Sequence, residues 1–104
     1  MATLTDFEEK VFRALKKIPR GKITTYGKLA LAVGHPRAAR AVGNALKKNL
    51  SLIKCPCHRV VKSDGRVGGY ARGEKEKIRL LRSEGVKIKV GKVVDFEKVL
   101  FRFK

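Results

Sequence analysis

The stretch Thr24-Thr25-Tyr26-Gly27-Lys28-Leu29-Ala30-Leu31-Ala32-Val33-Gly34-His35-Pro36-Arg37-Ala38-Ala39-Arg40-Ala41-Val42-Gly43-Asn44-Ala45-Leu46-Lys47-Lys48 decides the fold. Thr24 or Thr25 is placed to cap a short helix over residues 26–33. Gly34 ends that helix, with Pro36 just beyond it. A further helix follows over residues 37–48. Two short helices joined by a tight glycine turn, the later one small and basic, make a helix-turn-helix, although the same pattern fits an ordinary αα-hairpin. The small residues Ala38, Ala39, Ala41 and Gly43 let the later helix approach another surface closely. Its long polar side chains are arginines, lysines and one asparagine, few readers for major-groove base edges. It suits a close, sequence-indifferent approach to a narrow groove, with one long side chain used as a wedge.

Toward the N-terminus, Thr5 with Glu8 reads as a capping box. Phe7, Val11, Phe12, Leu15 and Ile18 then recur at helical spacing, which predicts a helix over residues 6–17. Pro19 and Gly21 end it. This helix is core packing.

Toward the C-terminus, residues 49–54 connect to Cys55-Pro56-Cys57-His58-Arg59-Val60-Val61. Pro56 biases Cys55 toward extended backbone, and the two valines favour a strand. The stretch therefore predicts a thiol on the lead-in to a buried strand. A thiolate is a nucleophile, and nearby positive charge favours it; the bland alternative is a cysteine packed as a small hydrophobe. Asp64-Gly65 reads as a hairpin turn between Val60-Val61 and Val67. Residues 68–73 form a glycine-rich loop with one aromatic, Tyr70. Residues 74–83 are helical, and Gly85 stops them. Val86, Ile88 and Val90 alternate with Lys87 and Lys89 as in a half-buried strand. Residues 93–104 close the chain as a turn of helix or an extended clamp.

The 104 residues are one domain's worth. Lys and Arg number 26 against 9 Asp and Glu, a net charge of +17. Such an excess points to a polyanion and favours the DNA-binding version of the helix pair. No apolar run approaches the ~20 residues of a membrane span, and the first residues carry no signal-peptide pattern. A cytoplasmic protein with reduced thiols is expected. Cys55 and Cys57 are too close for an easy disulfide, and a zinc site would need His35 or carboxylates in addition. His35 is assigned no role. The chain has no Gln or Trp, and its abundant Lys and Arg suit a thermophile.

Pro56-Cys57-His58-Arg59-Val60 resembles the active-site motif of the O6-alkylguanine-DNA alkyltransferases, the methylated-DNA–protein-cysteine methyltransferases. Ile18-Pro19-x-Gly21, Thr25-Tyr26, Ala38-Ala39-Arg40-Ala41-Val42-Gly43, Val67-Gly68-Gly69-Tyr70 and Ser83-Glu84-Gly85 follow in that family's order and spacing. The resemblance implies roles. Cys57 is the alkyl acceptor, with His58 and Glu84 as the relay that activates it. Tyr26 helps rotate the target nucleotide and can protonate the leaving guanine. Arg40 takes the place of the flipped base, on a DNA-binding surface with Ala38, Ala39, Lys47 and Lys48. Asn49, Val60, Tyr70, Ala71 and Lys77 form the substrate pocket. Side chains adjacent on a strand point to opposite faces. A water between Cys57 and His58 is therefore expected, rather than direct contact.

The resemblance also implies a single α/β domain over residues 1–104, mostly helical. It would hold a winged-helix-like helix-turn-helix unit and a short β-hairpin carrying the active-site cysteine. The larger members' N-terminal domain, with any zinc it holds, is read as missing. Cys55 stands where Ile or Val is usual, and Ala71 where some members carry a hydroxyl. The implied function is stoichiometric, self-inactivating repair of O6-alkylguanine in double-stranded DNA through the minor groove, by a monomer needing no cofactor. Two other classes stay open. One is a non-catalytic lesion sensor of the alkyltransferase-like group, whose members lack this cysteine; the other is a plain helix-turn-helix regulator. A methyl left on Cys57 is expected to overpack its surroundings and lower the melting temperature.

Overall fold

The computed structural model describes residues 5–47, 56–70 and 72–103. Helix α1 (Asp6–Leu15) starts at the capping box: the Thr5 amide donates to Glu8 Oε1 at 2.9 Å and the Glu8 amide to Thr5 Oγ1 at 3.1 Å. It buries Val11, Phe12 and Leu15 against α2 (Tyr26–Ala32) and α3 (Ala39–Leu46). Thr25 is the cap of α2, its hydroxyl accepting from the Lys28 amide at 3.0 Å. Gly34, at φ +87°, turns the chain out of α2. Helix α3 begins later than its composition predicts, because residues 35–38 close a turn in which the Ala38 amide donates to the His35 carbonyl.

Two two-stranded sheets complete the fold. Strands β1 (Thr24–Thr25) and β2 (Val60–Val61) pair in parallel, with Thr24 opposite Val60 and Thr25 opposite Val61. Val60 points into the core of α1, α2 and α3. Val61 points into a second core of Ile23, Val67, Leu81, Val86, Ile88 and Val93. The alternation of a strand thus joins two apolar clusters through adjacent residues. Helix α4 (Glu74–Ser83) lies against the second cluster through Leu81. Strands β3 (Ile88–Lys89) and β4 (Lys92–Val93) form an antiparallel hairpin. Helix α5 (Phe96–Val99) follows, and Leu100 then bridges Ile23, so the C-terminal stretch is a helical turn and a clamp in succession. Among the described residues no helix is long and apolar enough to cross a membrane.

The mostly helical single unit matches the expectation; its strand pairing does not. The Asp64-Gly65 turn is present, with the Lys62 amide bonded to the Arg66 carbonyl at 2.8 Å. Beyond that bond the two limbs part: β2 pairs with β1, and Arg66 bridges Lys92. The predicted hairpin is therefore a turn between two different pairings. Val90 is not on a buried strand face either. It occupies the β3–β4 turn with Gly91, both at positive φ, and is 92% exposed, as a two-residue type I′ connection requires.

Candidate active site

Cys57 sits on a single 3₁₀ turn, Cys57–Arg59, and not on the strand it leads into. The Arg59 amide closes that turn on the Pro56 carbonyl at 3.0 Å. With three residues per turn, successive side chains fan out about 120° apart. Cys57 turns toward a cavity, while His58 and Arg59 both reach Glu84. On a strand Cys57 and Arg59 would have shared a face.

Glu84 follows the last residue of α4, and the loop after α1 fixes it there. Arg20 Nη2 donates to the Ser83 carbonyl at 2.8 Å. Gly21, at φ +88°, leaves room for the Glu84 carbonyl, which a Cβ would meet at 3.3 Å. The carboxylate accepts from Arg59 at both oxygens: Nε to Oε1 at 2.9 Å and Nη2 to Oε2 at 2.5 Å. Arg59 Nη1 adds a bond to the Ile18 carbonyl at 2.8 Å. His58 Nε2 lies 3.0 Å from Glu84 Oε2. Burial pushes the Glu84 carboxyl up, but the hydrogen bonds from Arg59 and His58, with their charges, outweigh it and hold the carboxyl below its ordinary value. An ionised Glu84 only accepts, so the network assigns the imidazole hydrogen to Nε2. Nδ1 then carries a lone pair. It is buried and has no hydrogen-bond partner among the described residues. Burial pushes the His58 imidazole below its ordinary value despite Glu84, so it is neutral at pH 7.

The cavity has a volume of about 520 Å³ and is lined by Tyr26, Gly43, Leu46, Lys47, Cys57, Lys62, Gly69 and Tyr70. The Cys57 thiol, buried at the cavity wall, donates weakly to the Leu46 carbonyl at 3.9 Å. Lys77 is wholly buried beside it. Its ammonium donates to the Val60 carbonyl at 2.6 Å and to the Gly69 carbonyl at 3.1 Å. Burial lowers its pKa to about 8, while a negative charge on Cys57 acts the other way. That coupling is reciprocal, so a Lys77 ammonium favours thiolate over thiol. Tyr26 and Tyr70 are both pushed up, by burial first and then by Cys57, and so hold their phenolic protons. Gly68 is the crossing point: a Cβ there would stand 3.4 Å from Lys62 Cγ, 3.5 Å from the Tyr26 hydroxyl and 3.8 Å from Lys77 Nζ.

The structure brings Cys57, His58, Glu84, Tyr26, Tyr70 and Lys77 together. Gly43, Leu46 and Lys47 line the cavity from one face of α3, and Arg40, exposed, lies one turn before Gly43 on that face. Ala39 is half-buried and Ala38 packs against the core of α1–α3. The Val60 side chain is in the core, and its carbonyl serves Lys77 rather than standing open. Lys48, Asn49, Ala71 and Cys55 lie outside the described residues. The sequence reading gave no role to Arg59, whose fork joins segments far apart in the chain, or to Lys62. Its adjacency to His58 was the available signal for Arg59.

The family described as 6-O-methylguanine DNA methyltransferase, DNA binding domain, matches residues 6–86. A methylated-DNA–protein-cysteine methyltransferase of Methanosarcina acetivorans is 47% identical over 81 residues, 78% of this chain and 52% of that protein. The bifunctional transcriptional activator/DNA repair enzyme Ada of Escherichia coli is 46% identical over 80 residues, 77% of this chain and 23% of that protein. The chain thus spans about half the length, or less, of the curated relatives it matches. Among solved structures, S. pombe Atl1 in complex with damaged DNA containing O6-carboxymethylguanine is similar at a TM-score of 0.84 and 33% identity, covering 97% of this chain and 99% of Atl1. Mycobacterium tuberculosis OGT in complex with DNA is similar at a TM-score of 0.77 and 43% identity, covering 80% of this chain and 51% of that one.

Proposed function

This chain belongs to the 6-O-methylguanine DNA methyltransferase family, and from that premise we infer that it repairs DNA by moving an alkyl group from guanine O6 to the Cys57 sulfur, once per molecule. The observation that carries this reading is the Cys57 thiol on the wall of a cavity roomy enough for a base, with the Lys77 ammonium buried beside it.

A base stacked in a duplex cannot reach a buried sulfur, so the nucleotide is flipped out. Lys47 holds phosphate without reading sequence. Ala38 and Ala39 keep α3 close to the minor groove, and Arg40 fills the vacated place in the stack. The thiol proton passes to His58 Nδ1 through a water, the arrangement that a lone pair on Nδ1 permits. The thiolate attacks the alkyl carbon; the sulfur–carbon bond forms as the carbon–O6 bond breaks, and its electron pair stays on guanine. Tyr26 protonates the guanine as it leaves. Tyr70 lines the base pocket, and the Lys77 ammonium, held by the Val60 and Gly69 carbonyls, lies beside it. The thioether is stable, so the protein is consumed. The reading takes residues 1–104 as one catalytic and DNA-binding domain working as a monomer in the cytoplasm, without a cofactor.

A second reading has one observation behind it. The chain matches Atl1 along nearly the whole of both chains, which fits a protein that binds the lesion and recruits other factors. The cysteine in the cavity favours transfer. The test uses a duplex in which O6-methylguanine blocks a restriction site. Transfer restores cutting in proportion to protein added; a sensor binds the duplex and leaves it resistant.

A further inference from the structure

Lys62 has no part in the relay or in the helix-turn-helix, yet it lines the same cavity as Cys57. Its backbone is fixed: its amide donates to the Arg66 carbonyl at 2.8 Å, and its carbonyl accepts from Gly65 at 2.9 Å. Its stem runs over Gly68, which has no side chain to deflect it. Lys62 and Lys47 are both exposed at the cavity's edge. Among the described residues neither takes part in an ion pair or a side-chain hydrogen bond. The acid nearest in sequence, Asp64, pairs with Arg66 at 3.4 Å, and the Lys62 charge acts on its carboxylate only from further off.

Among the described residues the cavity lining holds two lysines and no acid. The rest of the wall is glycine, leucine, cysteine and two tyrosines. A volume of about 520 Å³ is in the range of sites that hold whole small molecules, so it takes the flipped base together with its O6 substituent. Among the described residues, the charged groups that a substituent meets at its edge are cations.

Resting on the alkyl-transfer reading above, we propose that Lys62 makes this site selective for O6 adducts that end in a carboxylate. The step balances with no further reactant. The Cys57 thiolate attacks the methylene of an O6-carboxymethyl group; the new sulfur–carbon bond replaces the carbon–O6 bond. Guanine leaves with that electron pair and takes a proton from Tyr26, and the proton that the thiol gave to His58 makes good that loss. The carboxylate stays on the protein as S-carboxymethylcysteine, facing Lys62. A charge-assisted hydrogen bond at such an edge is the strong kind, and Lys62 acts as a specificity residue.

The experiment compares duplexes of one sequence carrying O6-carboxymethylguanine or O6-carbamoylmethylguanine, nearly equal in size and different in charge. Single-turnover transfer is measured for the unaltered protein and for Lys62→Met. The expected result is a ratio of carboxymethyl to carbamoylmethyl transfer rates about tenfold higher in the unaltered protein than in Lys62→Met. A parallel fall on both duplexes would assign Lys62 to a DNA phosphate and overturn the proposal. Rates unchanged by Lys62→Met on both duplexes would overturn it too. An O6-methylguanine duplex is run beside them: no transfer from any of the three rejects the alkyl-transfer reading itself. The binding preference for carboxymethyl over carbamoylmethyl DNA, lost or kept in Lys62→Met, then decides the role of Lys62 separately.

Discussion

The Lys77 ammonium donates to the Val60 carbonyl at 2.6 Å from a side chain with no exposed surface. One end of β2 is thus tied to α4 by a buried cation at the edge of the cysteine cavity. Burial lowers the Lys77 pKa from 10.5 to about 8. Below pH 8 both folded and unfolded chains carry the proton, and the cost of burying it is present in full. Between about 8 and 10.5 the unfolded chain holds more proton, so the folded state gains stability as pH rises. Urea unfolding at pH 7.5 and 9.5 should show unaltered protein gaining about 1–2 kcal/mol relative to Lys77→Met over that interval. Lys77→Met should be the less stable at both, because two carbonyls lose their donor. A constant difference would mean that Lys77 titrates normally.

Arg59 holds Glu84 at both carboxylate oxygens and the Ile18 carbonyl with its remaining arm. Arg59→Ala leaves a largely buried carboxylate facing only His58 and should cost about 3 kcal/mol. Arg59→Lys keeps the charge but not the fork, and should recover only part. The depressed Glu84 carboxyl contributes stability above its unfolded pKa, and that contribution is lost as pH falls through the folded value. Acid unfolding should therefore begin at higher pH in Arg59→Ala. Equal acid midpoints would show that the fork does not hold the carboxyl down.

Arg40 should matter for extrusion of the nucleotide more than for chemistry on sulfur, and Tyr26 for both. Arg40→Ala should slow transfer from duplex DNA by at least about tenfold, since it removes the side chain that fills the stack. Its reaction with the free base O6-benzylguanine should change little. Tyr26→Phe keeps the ring against Gly43 and removes the phenolic proton, so it should slow both reactions. Equal losses on both substrates for Arg40→Ala would assign it a structural role.

The sequence expectation that a methyl on Cys57 overpacks a filled core meets a different structure. The sulfur borders a cavity, and its contact with the Leu46 carbonyl is long at 3.9 Å. Methylation should therefore lower the melting temperature by roughly 2–4 °C at most, the effect of about 0.5 kcal/mol in a domain of this size. A larger drop on calorimetry of the methylated protein would restore the overpacking account.

The helices were legible because their signals are local. The Thr5/Glu8 box, the Thr25 cap and the Gly34 and Gly85 stops each act within a few residues of what they fix. The mount of Cys57 was not legible. A single 3₁₀ turn has no periodicity to read, and Val60-Val61 looks the same whether it pairs with the next limb or with Thr24–Thr25 far upstream. Arg59 was passed over because its partners lie 25 and 41 positions away. Val90 misled because alternation marks a strand until the two residues at its end turn the chain. Of the residues that touch the cavity, Tyr26, Lys47, Cys57 and Tyr70 were named from motif resemblance; what the fold adds is the neutral His58 with a lone pair on Nδ1, the buried Lys77 cation, Leu46 and the Lys62 edge.

The most direct measurement is the intact mass of the protein before and after incubation with a duplex carrying one O6-methylguanine, followed by peptide mapping. The predicted result is a gain of one methyl group per molecule, located on Cys57, no further gain with excess DNA, and none in Cys57→Ser although that variant still binds the duplex. An unchanged mass under conditions where the duplex is bound, or a methyl found on Cys55, would contradict the assignment of Cys57 as the acceptor.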